Sequence, residues 1–575
     1  MYKNFYLPDG SQVKGIELPQ PSSFRALPKF SGFNQGQLRA SLELESSFVR
    51  QSGLQPGTYS KFSDLEPLLQ VQDRLWDYLE IELHKLDRLD TCKRLYEKLE
   101  IIYGTMNKLK YQTASEQALT GNAEGSSKRV DAWIAVTPFT EGIKFLIEMC
   151  VKHCSFDGKT ISGKYLDFLI GLSARIFMLD EHLDLIHDQI VPFEITISPE
   201  LKIMADMTSG GKLAINDWLG SVKTHASESN KEWLDTIYQS MGPKIQTEKF
   251  AEFPEILNLN SAMLDELNYG FFDWLNYEKG CMDYFNENEF LKAKSIEKLK
   301  KHLNNIVGLS AKKVEEILKD HALSFSTIEY STRESMYPMQ NYNRDTRLLR
   351  RPLLDITQGN IRLGIWGIET FQTSIRLFYD SLERGTLRLP RIQPNGAIKS
   401  AIGTLQAQIG APFRDDIATK CTSMGLIAEK EWQLPKKQKT EKIVGPIDVL
   451  IIDKNKKRII LAEAKTLGRS DLVPKEMKNE REKFLDIKNR HDGGFIKTLN
   501  EKETAFISNK EWHFRKLNID ESEGYKISSV IVVNHPTFWP LVESKQLPIL
   551  DDLEFYKRLR YGEGLLSKQN TIVTP

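Results

Sequence analysis

Apolar residues recur at every third or fourth position through much of the first 330 residues, which is the spacing of one buried helix face. Two such faces are Leu75, Leu79 and Leu86, and then Leu95, Leu99, Ile102 and Met106. Ser63 and Glu66 have the spacing of a capping box, so we expect the first of these helices to begin there. Residues 1–35 are rich in Pro, Gly and Ser and are predicted to be irregular.

Further patterns divide the rest of the chain before residue 395. The predicted helices cover 139–190, 230–241, 262–277, 295–319 and 369–383, and the predicted strands cover 192–198 and 361–367. The polar segment 330–345 contains Pro338 and is predicted to be a linker. We therefore expect a mostly helical region at 1–330, acting in sensing, interaction or oligomerisation, and a linker with a small connecting unit at 331–394.

The pattern changes after residue 395, where short apolar runs replace long helical stripes. A helix is predicted at 397–423, ending at Gly425, with a charged helix at 474–490. Strands are predicted at 426–434, 447–453, 458–465 and 526–533. This order of elements is typical of an α/β domain with a mixed sheet, which we assign to 395–575.

Composition bounds the class of protein. The chain has 575 residues, too many for one hydrophobic core, and its 78 basic and 78 acidic residues balance. A nucleic-acid site must therefore be a local basic patch. Five scattered cysteines, the absence of a signal-peptide pattern and the lack of a long apolar stretch lead us to expect a cytoplasmic protein without a membrane span.

The two apolar strands at 447–453 and 458–465 are separated by the polar stretch 454–457, which suits a hairpin turn. A turn centred on Asn455 and Lys456 places Asp448 directly opposite Glu463. Since side chains alternate along a strand, Lys465 projects from the same face as Glu463. Two carboxylates brought together in this way repel each other, and a divalent cation such as Mg²⁺ would hold both.

These residues resemble the motifs of the PD-(D/E)xK nuclease superfamily. Pro446-Ile447-Asp448 corresponds to its first motif and Glu463-Ala464-Lys465 to its second, and the resemblance covers about the last third of the chain. It implies that Asp448, Glu463 and the backbone carbonyl of Ala464 hold Mg²⁺, with Mn²⁺ as a substitute. It also implies that Lys465 orients the attacking water. The expected fold is therefore multidomain α plus α/β, with a mostly helical N-terminal region before a restriction-endonuclease-like α/β domain with a mixed central sheet.

Members of this superfamily often carry a further acid on the helix before the first strand. The usual spacing falls on Arg414, which departs from the pattern. Asp416 flanks the predicted buried stripe of that helix and is offered as the additional acid, whereas Asp415 points away. Glu429 and Glu431 on the next strand are rivals, and a plain surface carboxylate is the alternative for Asp416.

Basic residues follow the second motif, and Arg469, Lys475 and Lys478 are the predicted nucleic-acid contacts. An arginine cluster, Arg344, Arg347, Arg350 and Arg351, either touches nucleic acid or pairs with acidic neighbours. Cys150, His153 and Cys154 have a helical spacing that could suit zinc, although buried reduced thiols are the better interpretation.

The sequence thus predicts a Mg²⁺-dependent endonuclease acting on nucleic acid, with DNA favoured as substrate. By analogy alone, the setting is a regulated prokaryotic defence against phage, with a homo-oligomer or a partner protein engaged through the helical region. Two alternatives stay open: an RNA- or tRNA-cleaving nuclease, and a non-catalytic helical scaffold carrying a degenerate nuclease fold.

Overall fold

The computed structural model describes residues 4–6, 12–14, 32–120, 124–187, 193–207, 254–286, 289–328, 347–383, 387, 389, 391–393, 395–435, 445–467, 482–485, 494–520, 524–534 and 547–561. Within these ranges it is a helical protein with mixed sheets, in agreement with the coarse fold class expected from the sequence. The helix predicted at 230–241, most of that at 474–490 and the linker at 330–345 lie outside the described residues.

The N-terminal region is built from helices that share one core. The helices are α1 (Gln35–Ser52), α2 (Glu66–Leu83), α3 (Arg88–Thr120), α4 (Glu124–His153) and α5 (Gly163–His187). Strands β1 (Asn4–Tyr6) and β2 (Gln12–Lys14) pair with each other, and β3 (Gly57–Tyr59), β4 (Phe193–Ile197) and β5 (Ile203–Met207) form an antiparallel sheet. The two predicted leucine faces lie in this core.

The helical pattern predicted over 139–190 belongs to two helices, α4 and α5. Their close crossing depends on Gly142, where a Cβ would lie 2.8 Å from the Ala174 nitrogen. One prediction for this region was wrong in detail. The capping box at Ser63 does not form. A 3₁₀ turn over Phe62–Leu65 precedes α2, and the Ser63 hydroxyl donates to Asp64 instead.

A second core begins at α6 (Pro254–Leu267) and α7 (Phe271–Asp283). It includes a four-stranded sheet in the order β6 (Leu291–Ser295), β9 (Ile361–Gly367), β8 (Leu353–Gln358) and β7 (Ala322–Ser324). Its other helices are α8 (Ile296–Val307), α9 (Ala311–His321), α10 (Phe325–Ile328) and α11 (Ile368–Glu383). Each of the predicted helices 262–277 and 295–319 is therefore two helices, separated at Gly270 and at Gly308, whose φ is 70°.

The boundary predicted at residue 330 does not separate two units. β9 pairs with β6 and β8 pairs with β7, so one sheet contains strands from both sides of that position. Residues from 259 to 402 share the second core. Pairing between strands so distant in the chain leaves no local signal in the sequence, and the small connecting unit is part of a larger one.

A buried carboxylate links the first two cores. Glu100 of α3 accepts hydrogen bonds from the backbone N–H groups of Glu369 (2.7 Å) and Thr370 (2.8 Å) at the start of α11. The neighbouring Gly367 has no room for a side chain, because a Cβ would lie 2.1 Å from the Glu100 carboxyl carbon. Burial, and then the nearby Glu369, raise the pKa of Glu100 to about 8 despite these donors.

The C-terminal region is a five-stranded mixed sheet covered on both faces. Its order is β10 (Ile427–Trp432), β11 (Ile447–Asp453), β12 (Arg458–Lys465), β13 (Lys526–Val533) and β14 (Ile549–Asp551), antiparallel across the first three strands and parallel thereafter. The covering helices are α12 (Ala397–Ser423), α13 (Phe495–Ser508), α14 (Lys510–Leu517) and α15 (Asp552–Tyr561). The predicted bounds of α12, β11, β12 and β13 are confirmed.

Helix α12 belongs to two cores at once. Ile398 and Ile402 near its start pack in the second core, whereas Ile417 and Cys421 near its end pack under the sheet. Glu266 of α6 caps its beginning, accepting a hydrogen bond from the Ile398 N–H at 3.0 Å. The boundary predicted at 395 therefore precedes a helix that joins two units.

Among the described residues, none of the helices combines the length and apolar composition that crossing a bilayer requires.

The Glu100 cap makes stability depend on pH. The pKa of a glutamate in the unfolded chain is ~4.3, whereas the pKa of Glu100 in the folded protein is about 8. Between these pH values the folded state therefore binds more protons than the unfolded state. We expect the free energy of unfolding to fall as pH rises through this window, and to fall less steeply in Glu100→Gln, by up to ~1.4 kcal/mol per pH unit. Urea denaturation from pH 5 to 8 measures this. Glu97→Gln, on the same helix, is the control, and equal slopes in Glu100→Gln and the native protein would contradict the assignment.

Candidate active site

The hairpin of β11 and β12 forms in the register predicted from its turn. Val449 pairs with Ala462 and Asp453 with Arg458, so one further step places Asp448 opposite Glu463. The connecting turn is 454–457, closed by a bond from the Lys457 N–H to the Lys454 carbonyl at 3.4 Å. The turn length fixes the register, and the register decides which side chains share a face.

The three predicted catalytic side chains come together beside this hairpin. Lys465 Nζ lies 2.7 Å from Glu463 Oε1 and 3.6 Å from Asp448 Oδ2. The same Asp448 oxygen accepts a hydrogen bond from the Ala464 N–H at 3.0 Å. Glu463 is buried, whereas Asp448 and Lys465 are 23% and 24% exposed. The cluster is therefore closed on the Glu463 side and open to a ligand on the other.

A fourth charged residue, Lys502, was not anticipated from the sequence. Helix α13 packs its apolar stripe, Leu499 and Phe506, against the same core as the odd-numbered residues of β12. Lys502 lies within that stripe, is buried, and places its Nζ 2.7 Å from Glu463 Oε2. A lysine at three- and four-residue spacing from two apolar residues was the signal available in the sequence.

The cluster is electrically balanced, with two carboxylates and two ammonium groups. Burial raises the pKa of Asp448, and Glu463 adds to this while Lys465 and Lys502 oppose it. Burial alone would lower the pKa of Lys465, but Glu463 and Asp448 outweigh it and the pKa lies above its ordinary value. Lys465 is therefore a fixed positive charge at neutral pH, held between Glu463 and Asp448.

The donor set fits a hard divalent cation. Asp448 Oδ1 has no protein partner among the described residues, so one carboxylate oxygen is left for a ligand. The Ala464 N–H points toward β11, and because N–H and C=O of one strand residue point the same way, its carbonyl faces the same side. Mg²⁺ prefers such oxygens and keeps several waters. Each oxygen of Glu463 accepts a hydrogen bond from a lysine, so a cation that binds Glu463 lies close to two ammonium charges.

Asp416, offered as the additional acid, is not brought to the cluster. Helix α12 covers the opposite face of the sheet, where Ile417 and Cys421 pack with Val449 and Ala462. Asp416 is 44% exposed and pairs with Lys420 at 2.9 Å. The hydrophobic stripe of the helix was correctly predicted, but the pattern could not say which face of the sheet it would cover.

The rival acids also have other positions. Glu431 has a φ of 50°, which turns its side chain toward α12, where it pairs with Arg414. Asp415 pairs with Lys430 at 3.1 Å. Glu429 is exposed on the edge strand β10 and lies opposite Leu450 of β11. Within the described residues, none of these acids is paired with Lys465 or Lys502.

The predicted nucleic-acid contacts Arg469, Lys475 and Lys478 lie outside the described residues. In the arginine cluster near the linker, Arg347 pairs with an acidic neighbour as one alternative proposed, whereas Arg350 and Arg351 bond a hydroxyl and backbone carbonyls. Arg347 bonds the buried Glu148 at 2.8 Å, Arg350 donates to Ser381, and Arg351 donates to the Lys319 and Ala322 carbonyls, all three arginines being buried. Arg344 is outside the described residues.

No protein-family model matches this chain, and neither a curated protein nor a solved structure is found to be similar to it.

Proposed function

We propose that this protein is a metal-dependent phosphodiesterase that hydrolyses nucleic acid, with DNA as the favoured substrate. The observation that carries the proposal is the approach of Asp448, Glu463 and Lys465 within one partly open cluster at the end of two apolar strands. Lys465 and Lys502 balance the two carboxylates, but one oxygen of Asp448 is left open, and a divalent cation would use it. The fold in which this happens, a mixed sheet with helices on both faces, supports a restriction-endonuclease-like domain.

Each residue has a distinct role in the proposed reaction. Asp448, with its unpartnered oxygen, and Glu463 would hold Mg²⁺ together with the Ala464 carbonyl. When bound, Mg²⁺ polarises the scissile phosphate and lowers the pKa of a coordinated water. Lys465 orients that water and offsets the charge that develops on the phosphoryl oxygens. Lys502, which pairs with Glu463 at 2.7 Å, supplies a second positive charge beside the same carboxylate.

The biological setting proposed from the sequence, a regulated prokaryotic defence against phage, rests on the association of this cluster with a large helical region. Oligomerisation or partner binding through that region belongs to the same proposal.

A non-catalytic scaffold is the second candidate, and one observation favours it. Both oxygens of Glu463 are already satisfied by Lys465 and Lys502 at 2.7 Å, as they would be in a purely structural ion-pair network. The open oxygen of Asp448 is the feature that a structural network does not need.

Cleavage of nucleic acid separates these functions. With Mg²⁺, the purified protein is expected to cleave single- or double-stranded DNA, and Lys465→Ala to lose at least ~100-fold in rate because the developing charge is no longer offset. Lys454→Ala, in the exposed hairpin turn, is the matched control and retains activity. A panel that includes tRNA decides between DNA and RNA, and a native protein inert toward every member contradicts the proposal.

Metal binding without substrate tests the role of Lys502. We expect Lys502→Met to bind Mn²⁺ at least about tenfold more tightly than the native protein, because a unit positive charge near the metal site contributes on the order of a few kcal/mol. Isothermal titration of full-length protein measures the affinity. Lys497→Met, an exposed lysine on the same helix, should leave it unchanged, and an unaltered affinity in Lys502→Met would show that Lys502 does not compete with the cation.

A further inference from the structure

Two helix ends in the N-terminal region bring together two histidines and one glutamate. Glu80 and His84 lie one turn apart at the end of α2, and His153 is the last residue of α4. His153 Nδ1 is 3.2 Å from Glu80 Oε1, and His84 Nε2 is 4.0 Å from the same oxygen. The three possible ligand atoms all lie within 4.8 Å of one another.

The backbone that follows each histidine fixes their relative positions. The Ser155 N–H donates to the Leu86 carbonyl at 3.1 Å, and the Asp87 N–H donates to the Lys159 carbonyl at 2.9 Å. Gly158 permits this close approach, because a Cβ there would lie 2.1 Å from the Leu86 carbonyl carbon. These backbone hydrogen bonds hold the two helix ends together. Little conformational entropy would therefore be lost when the side chains bind a shared ligand.

The helix ends around the cluster favour a bound cation. His84 and His153 lie at the carbonyl ends of α2 and α4, and helix C-termini carry partial negative charge. The Glu80 carboxylate adds a negative charge beside both imidazoles.

The thiols nearby do not take part. Cys92, Cys150 and Cys154 are buried, and burial, followed by the neighbouring thiols, raises the pKa of Cys150 well above its usual value. Among the described residues, the ligand atoms that meet at this cluster come from Glu80, His84 and His153, with no thiol sulfur among them. The structure thus agrees with buried reduced thiols, the interpretation preferred for these cysteines from the sequence.

We propose that Glu80, His84 and His153 form a binding site for a transition-metal cation of the Zn²⁺ type, distinct from the carboxylate cluster of the C-terminal sheet. Two imidazoles and one carboxylate suit zinc with an open fourth position, whereas Mg²⁺ and Ca²⁺ prefer oxygen ligands alone. Tetrahedral zinc needs ligand atoms about 3.3 Å apart. The Glu80–His153 pair already meets this distance, and His84, which is 59% exposed, is free to close the remaining gap.

The site would join the ends of α2 and α4 and keep one coordination position open to solvent. A bound cation would thus strengthen the connection that the backbone hydrogen bonds already make between these helices. This proposal is independent of the proposed nuclease activity, because the residues of this site and those of the C-terminal cluster lie on different elements in different cores.

Cobalt absorption and zinc titration test the site in the full-length, chelator-treated protein. We expect Co²⁺ to give the visible absorption of a tetrahedral site, and Zn²⁺ to displace it. His153→Ala and Glu80→Gln should each weaken Zn²⁺ binding by at least ~100-fold, since losing even a supporting residue costs 10–100-fold. Glu82→Gln is the matched control, because Glu82 lies on the same helix but pairs with Lys85 at 2.6 Å.

Asp448→Asn separates this site from the C-terminal cluster and should leave the Co²⁺ spectrum unchanged. Circular dichroism verifies that each variant is folded. If His153→Ala does not fold, Glu80→Gln, at a partly exposed position, provides the test instead. A native protein without the tetrahedral spectrum, or equal zinc affinity in Glu80→Gln and Glu82→Gln, would overturn the proposal.

Discussion

The register of one β-hairpin governs the chemistry of the C-terminal region. A four-residue turn sets β11 against β12, and from that pairing it follows that Asp448 and Glu463 meet and that Lys465 joins them. A shift by a single residue would send Glu463 to the face covered by α12 and leave two charges in an apolar core. The apolar residues on both sides of the hairpin therefore protect the arrangement of the polar ones.

The elements of this region were predictable because their signals are local. Short apolar runs bounded by polar turns gave β11, β12 and β13 to the residue, and the turn length gave the pairing. Lys502 was missed because its partner Glu463 lies 39 residues away. Asp416 was misplaced for a related reason: a helix pattern reveals a buried stripe, but the face of the sheet that buries it is decided by the path of the chain.

In the N-terminal two-thirds of the chain, less of the structure could be predicted from local sequence signals. Helical periodicity located the main core residues, but by itself it could not detect where one helix stops and the next begins, as at Gly270. Nor could it detect caps supplied from afar. Glu100 and Glu266 satisfy the first amides of α11 and α12 from helices more than a hundred residues earlier. Such caps replace the serine or aspartate that sequence reasoning looks for just before a helix.

Helix α12 has a consequence for dissecting the chain. Its 27 residues span about 40 Å, with one end held by Glu266 and apolar neighbours of the second core and the other end lying under the C-terminal sheet. In a fragment that starts at residue 395, the first half of this helix would lose its packing partners, and Ile398 and Ile402 would be exposed to water. Soluble expression of the isolated sheet region would call for polar replacements at these positions, or for a longer fragment that keeps α6.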